Sequence, residues 1–165
     1  MFLYYLQELT SQQSQDLFNH LSYTTNKDCF KECDLVVESI IEDLKIKKSF
    51  YQDISQFVKD ECILATNTSG ISINELASAV YKPERFIGMH WFNPCHLVLL
   101  IEIIKGKETH DSIADAIYQL SLSIDKKPVI VNKDVLGFAA NRIQFAVLRE
   151  ALYLVEQGVI SKEGI

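Results

Sequence analysis

Five short apolar runs limit what this chain can fold into: residues 34–40, 62–67, 86–90, 99–104 and 128–131. Their brevity and their share of β-branched side chains predict buried strands. Several of the stretches between them carry a helical period instead. Residues 43–59 place Phe50, Ile54, Phe57 and Val58 on one face, with charges opposite. A second helix is predicted from Ser72, where Ser72 and Glu75 have the spacing of a capping box and Ile73, Leu76, Ala77 and Val80 supply an inner face. Residues 111–122 are helical by Ile113, Ile117 and Leu120. Strands and helices alternating at this rhythm predict an α/β fold, a parallel sheet with helices on both faces.

The pattern changes after Asn132-Lys133-Asp134. Gly137 opens a long helical segment with Phe145, Leu148, Leu152 and Val155 on one stripe, closed by Gly158. A stripe of this kind must pack against something. Only residues 159–165 follow, so its partners come from the first unit, from another subunit or from sequence outside this chain. The expected division is residues 1–131 as an α/β domain and 132–165 as the start of an all-α one.

Composition closes off several classes of function. With 48% hydrophobic and 23% charged residues a packed core is expected and disorder is not. Sixteen basic against 22 acidic side chains give a net charge of −6, and no basic stripe is present, so nucleic acid is not the expected partner. An anionic substrate would be held by local positive charge or backbone amides. Residues 1–6 are apolar but too short for a membrane span and lack a basic flank, so no membrane or secretory role is expected and the location reads as cytoplasmic. Cys29 and Cys33 have helix-face spacing, yet with Cys62 and Cys95 they complete no zinc site; reduced, buried thiols are expected and no metal. Asn67-Thr68-Ser69 matches a glycosylation acceptor but has no secretory signal to go with it.

In open parallel sheets ligands bind beyond the carboxyl ends of the strands. The polar groups there are Glu42 after the first run, Asn67 to Ser69 after the second and His90 to Asn93 after the third. Glu102 is different, because it interrupts Leu99-Leu100-Ile101-Glu102-Ile103-Ile104. A carboxylate in such a run either faces solvent on an alternating strand or has a buried partner. His90 by itself reads sooner as a satisfied histidine at a strand end than as a catalytic group. If the two strands are neighbours, Glu102 accepts one imidazole N–H, fixes the tautomer and leaves the other nitrogen for a substrate hydroxyl. Asn93-Pro94 also reads as a turn, Asn67 to Gly70 as a capping loop, and Asn141 as an exposed amide on a helix's first turn.

In their joint order these elements resemble the L-3-hydroxyacyl-CoA dehydrogenases of fatty-acid β-oxidation and butyrate metabolism. The resemblance runs through Asp34 to Glu42, Ala65 to Ser69, Gly88 to Pro94, Leu100-Ile101-Glu102 and Gly137 to Arg142, from about residue 24 onward. It implies a partial Rossmann-like NAD-binding domain, NAD as cofactor, an acyl-CoA substrate and a homodimer in the full-length form. It further implies that His90 is the catalytic base, that Glu102 orients it, and that Ser69, Asn93 and Asn141 line the substrate. Glu42 and Lys47 fall on the nicotinamide-ribose side of the cofactor, with Asn67 also on the cofactor side.

Three departures stand against that pattern. The family opens with a strand, a Gly-x-Gly-x-x-Gly turn and a helix that hold the pyrophosphate. Here there are six glycines and no two closer than Gly158 and Gly164, and the acidic residue that follows the turn is missing too. The helical unit stops after little more than one helix, and Cys95-His96 replaces small or proline residues. The chain therefore reads as the middle of such an enzyme, through truncation, a partial gene product or a split coding sequence, with weak NAD binding and little turnover alone. Two other readings stay open: a relative oxidising another hydroxy or sugar acid, such as the gulonate-oxidising, crystallin-like members, and a non-enzymatic remnant that binds a partner through its sheet edge and last helix.

Overall fold

The computed structural model describes residues 9–165, so the apolar stretch at residues 1–6 lies outside the described residues. In chain order the regular elements are α1 (Ser11–Asn19), β1 (Leu35–Glu38), α2 (Leu44–Ile54), β2 (Ile63–Thr66), α3 (Ile73–Ala77), β3 (Phe86–Trp91), β4 (Leu100–Lys105), α4 (Asp111–Ser123), β5 (Lys127–Val131) and α5 (Ala140–Glu156). All five predicted strands are present. They form one sheet in the order β1-β2-β3-β4-β5.

One expectation about this sheet is corrected. β1, β2 and β3 are parallel and so are β4 and β5, but β3 and β4 run antiparallel. The cause is the link between them. Residues 92–99 hold no helix, and a parallel crossover needs a dozen or more residues. A short link can only fold the chain back on itself.

The sheet is covered on both faces. On one side Val36, Leu64, Phe86 and Ile104 pack with Tyr51 and Ile54 of α2, Ile73 and Leu76 of α3, and the distant Phe138. On the other, Ala65, Ile87, Met89, Ile101 and Ile103 meet Ile113, Ala114 and Ile117 of α4. Burying each large side chain contributes about 1.5–3 kcal/mol, before entropy is counted. Gly88 is required where α3 crosses the sheet: a Cβ there would sit 2.8 Å from Ile73 Cδ1 and 3.0 Å from Ile104 Cβ.

Local chemistry sets the helix ends. Asp43 caps α2 by accepting from the amides of Lys45 and Ile46, both at 2.9 Å, but α2 stops at Ile54, short of residue 59. Its buried face is also offset from the expected one, being Lys47, Tyr51 and Ile54. Ser72 caps α3 by accepting from the Glu75 amide at 3.2 Å, which is one half of the expected capping box. In α4, Leu120 is 39% exposed and Ser121 takes the inward place, donating to the Ile117 carbonyl. Only Cys62 is a buried thiol; Cys33 is half-buried against the edge of the core, and Cys29 and Cys95 are exposed. All four are free.

Gly137 does not open the last helix. It and Phe138 adopt left-handed backbone, with φ of 75° and 50°, and α5 begins at Ala140. The helix ends as expected at Gly158, whose φ is 68°, with Val159 N–H bonding to Leu154 O and Gly158 N–H to Val155 O. No residue of α5 is buried, and Phe145 is 57% exposed. None of the described helices is long and apolar enough to cross a membrane.

Candidate active site

The antiparallel step places His90 directly opposite Glu102. In this register the two side chains share a face, and His90 Nδ1 lies 2.9 Å from Glu102 Oε2. Glu102 is 0% exposed, so the solvent-facing reading of that strand is overturned: Ile101, Glu102, Ile103 and Ile104 are all buried. Its second oxygen, Oε1, accepts from the backbone amides of Ala139 at 3.0 Å and Ala140 at 2.8 Å. Those amides are among the orphan donors at the start of α5, where Ala139 has no side chain to cap them. One carboxylate therefore orients an imidazole and caps a helix.

The electrostatics follow from this arrangement. Burial works to raise the Glu102 pKa, but the His90 hydrogen bond and the two amides outweigh it and hold the carboxyl below its ordinary range. An ionised Glu102 accepts the Nδ1 proton and leaves Nε2 as the lone-pair nitrogen. No described residue hydrogen-bonds Nε2. The ring stands between Phe92, at a centroid distance of 4.5 Å, and Phe138, at 5.5 Å.

The other expected residues fall around this pair. The Asn141 side-chain amide donates to the Ser69 carbonyl at 3.1 Å, bringing the start of α5 to the loop after β2. Asn93 is exposed beyond the end of β3, at the cis Asn93-Pro94 peptide. Asn67 ties three strand ends together: its Oδ1 accepts from the Trp91 amide at 2.8 Å, its Nδ2 donates to Ser39 Oγ at 3.3 Å, and its own amide donates to the Glu38 carbonyl at 2.8 Å. Glu42 accepts from the Thr68 hydroxyl at 2.5 Å and the Ser69 amide at 2.9 Å. Burial pushes against its charge, yet Thr68, Ser69 and nearby Lys47 together hold its carboxyl below the ordinary range.

Several contributors were not picked out from the sequence. Glu38 is a buried carboxylate facing Lys47, with Nζ to Oε1 at 2.6 Å. Its signal was visible, a glutamate inside the apolar run at residues 34–40 that resembles the placing of Glu102. The Ala139 and Ala140 amides and Phe138 carry no such signal, because they act through backbone and packing. Asp134 ties the segment before α5 to α3, accepting from Ser72 Oγ at 2.6 Å and from the Asn74 amide at 2.9 Å.

Residues 4–135 match the profile of the 3-hydroxyacyl-CoA dehydrogenase NAD-binding domain, starting well ahead of residue 24. This chain belongs to the 3-hydroxyacyl-CoA dehydrogenase family. It is 41% identical over 150 residues to a 3-hydroxybutyryl-CoA dehydrogenase of Clostridioides difficile, covering 91% of this chain and 53% of that one. It is 43% identical over 138 residues to 5-formyl-3-hydroxy-2-methylpyridine 4-carboxylate 5-dehydrogenase of Mesorhizobium japonicum, covering 84% and 45%. The solved (S)-3-hydroxybutyryl-CoA dehydrogenase of Ralstonia eutropha superposes with a TM-score of 0.91 at 34% identity, covering 98% of this chain and 56% of that one. The chain thus spans about half the length of the dehydrogenases it matches.

NAD is the family's cofactor, and its two halves fare differently here. The carboxyl ends of β1 and β2 present Glu42, Asn67 and the Thr68-Ser69 loop, a polar set suited to ribose hydroxyls. The glycine-rich turn that would hold the pyrophosphate is not found: no two of the six glycines lie closer than Gly158 and Gly164.

Proposed function

We propose that this chain carries the catalytic centre of an NAD-dependent L-3-hydroxyacyl-CoA dehydrogenase, with His90 as general base and Glu102 as its orienting partner. The observation that carries the reading is the buried Nδ1–Oε2 hydrogen bond of 2.9 Å, with the second carboxylate oxygen already committed to two amides. A glutamate so restrained cannot swing to another partner, and it keeps Nε2 basic. In the oxidising direction Nε2 takes the proton of the 3-hydroxyl, and Glu102 stabilises the imidazolium that forms. NAD, when bound, supplies the hydride acceptor at the same carbon. Ser69 and Asn141 line the side where the substrate oxygens lie, with Asn93 at the rim. Glu42, Lys47 and Asn67 serve the cofactor side.

An acyl-CoA substrate, a homodimer, a cytosolic setting and the division at residue 131 belong to the same proposal; the exposed apolar stripe of α5 supports burial against further protein. The Mesorhizobium relative supports a second reading, oxidation or reduction of a different small substrate with the same base. Acetoacetyl-CoA with NADH, offered to this chain and to a form extended at both ends to carry a Gly-x-Gly-x-x-Gly turn, separates the two. Turnover in the extended form that falls about 1,000-fold in His90→Ala supports the base assignment. Turnover that survives His90→Ala refutes it, and turnover only with a pyridine aldehyde favours the second reading.

A further inference from the structure

Between β5 and α5 the chain makes a turn that is held at both ends and strained in the middle. Phe138 has a φ of 50°, backbone that a bulky L side chain rarely adopts, and it follows Gly137 at 75°. A residue stays in such a conformation only where its surroundings over-determine it. The Phe138 ring is 0% exposed, in the core cluster that holds Ile73 and Leu76 of α3, and its amide donates to the Val135 carbonyl at 2.9 Å. One end of the turn is fixed by the Ala139 and Ala140 amides on Glu102. The other end is fixed by Asp134. Its Oδ2 accepts from Ser72 Oγ at 2.6 Å, from the Asn74 main-chain amide at 2.9 Å and from the Asn74 side-chain amide at 2.8 Å. Asn74 Oδ1 in turn accepts from the Lys107 amide at 2.7 Å, just past the end of β4. Glu102 also lies on β4. Both ends of the turn are therefore referred to one strand, directly through Glu102 and by way of Asn74.

Resting on the reading above, we infer that Asp134 is a positioning residue for the proposed base, acting through the Ala139 and Ala140 amides on Glu102 and so on the His90 ring. Its hydrogen bonds run to Ser72 and Asn74 and not to His90 or Glu102, so its action is indirect. With Asp134 in place the turn has two anchors, and the strained backbone at Phe138 has no room to relax. Without it only the Glu102 anchor remains, and the strain is relieved by a shift of the first turn of α5. The two amides then draw away from Oε1. A carboxylate released on that side is free to rotate, and its other oxygen no longer holds Nδ1 at 2.9 Å. Asp134 thus sets how firmly the imidazole is aimed.

The test compares the 165-residue chain with Asp134→Ala and with Ile117→Ala, a cavity on the opposite face of the sheet. Both are expected to lower Tm, Asp134→Ala by about 5 °C and Ile117→Ala by at least as much. Proton NMR reads the site directly, because an Nδ1–H held by a carboxylate resonates far downfield, and its loss in His90→Gln assigns it. Asp134→Ala is expected to move or broaden that signal and to speed hydrogen exchange at the Ala139 and Ala140 amides about 10-fold, while Ile117→Ala leaves both unchanged. Should Asp134→Ala fail to fold, Asn74→Ala is read in its place, since it removes the link to Lys107 and one donor to Asp134. These arms need neither cofactor nor turnover, so they stand even if the dehydrogenase reading fails. In an extended form with acetoacetyl-CoA and NADH, Asp134→Ala is expected to lower kcat about 10-fold at little changed KM. An unmoved His90 signal overturns the inference. So does an equal disturbance in Ile117→Ala, because Asp134 would then serve stability alone.

Discussion

The proposed base side and the proposed cofactor side of the site solve the same problem with different parts of the chain. Each centres on a buried glutamate in a strand, and each glutamate has both carboxylate oxygens engaged. Glu102 draws on His90 across the antiparallel step and on amides about 37 residues further along the chain. Glu38 draws on Lys47, Tyr51 and Thr66, all in the adjoining β1-α2-β2 unit. The base side is therefore assembled from remote segments, and the cofactor side is knitted locally. A site of the first kind depends on the chain beyond β5 being seated, whereas one of the second kind forms with its own supersecondary unit.

The largest test of that contrast is Phe138→Ala. Phe138 is fully buried against the core and 5.5 Å from the His90 ring, so its loss is expected to cost about 4 kcal/mol of stability in denaturant unfolding. It should broaden or shift the His90 imidazole resonances while those of Tyr51 stay put; equal disturbance of both would erase the distinction. Next comes Glu102→Gln, expected to cut turnover of an extended form about 100-fold through loss of imidazole orientation, with the pH profile displaced as well as lowered. The pH dependence has a definite sign. The Glu102 and Glu42 carboxyls are held below their ordinary pKa in the fold, so the stability they contribute is complete above about pH 4.5 and is lost as pH falls through their folded values. Tm measured from pH 7 down to pH 3 should drop less steeply in Glu102→Gln than in the parent.

Gly88→Ala sharpens the comparison from the sheet that both sides share. The added Cβ would press on Ile73 and Ile104, costing about 2 kcal/mol without favouring either side. The smallest effect is expected for Asn67→Ala, about 1 kcal/mol, since it removes side-chain bonds to Trp91 and Ser39 while the main-chain bond to Glu38 survives. A loss several times larger would mean that Asn67, and not the local knit around Glu38, holds the cofactor side together.

How much of this was legible in the residues depends on the reach of the interactions. The strands announced themselves through β-branched apolar runs, and α3 and α4 through caps and periodicity. The pairing of His90 with Glu102 was legible as a conditional, given that their strands are neighbours, and the register met the condition. The antiparallel turn was not read, although the eight residues between Trp91 and Leu100 are too few for a crossover. The offset of α2 arose because Lys47 and Tyr51, which look like surface residues by type, are drawn inward by Glu38. No pattern rule foresees that without the third dimension. The amides of Ala139 and Ala140 left no trace at all, since any residue but proline carries one.

One carboxylate oxygen of Glu102 is spent on the first amides of α5. Aligning the imidazole and attaching the last helix are in consequence a single event, and neither can be complete without the other. A chain whose final helix came loose would present a histidine whose partner is half-released, so on the proposed mechanism the base would be ready only when the fold is whole.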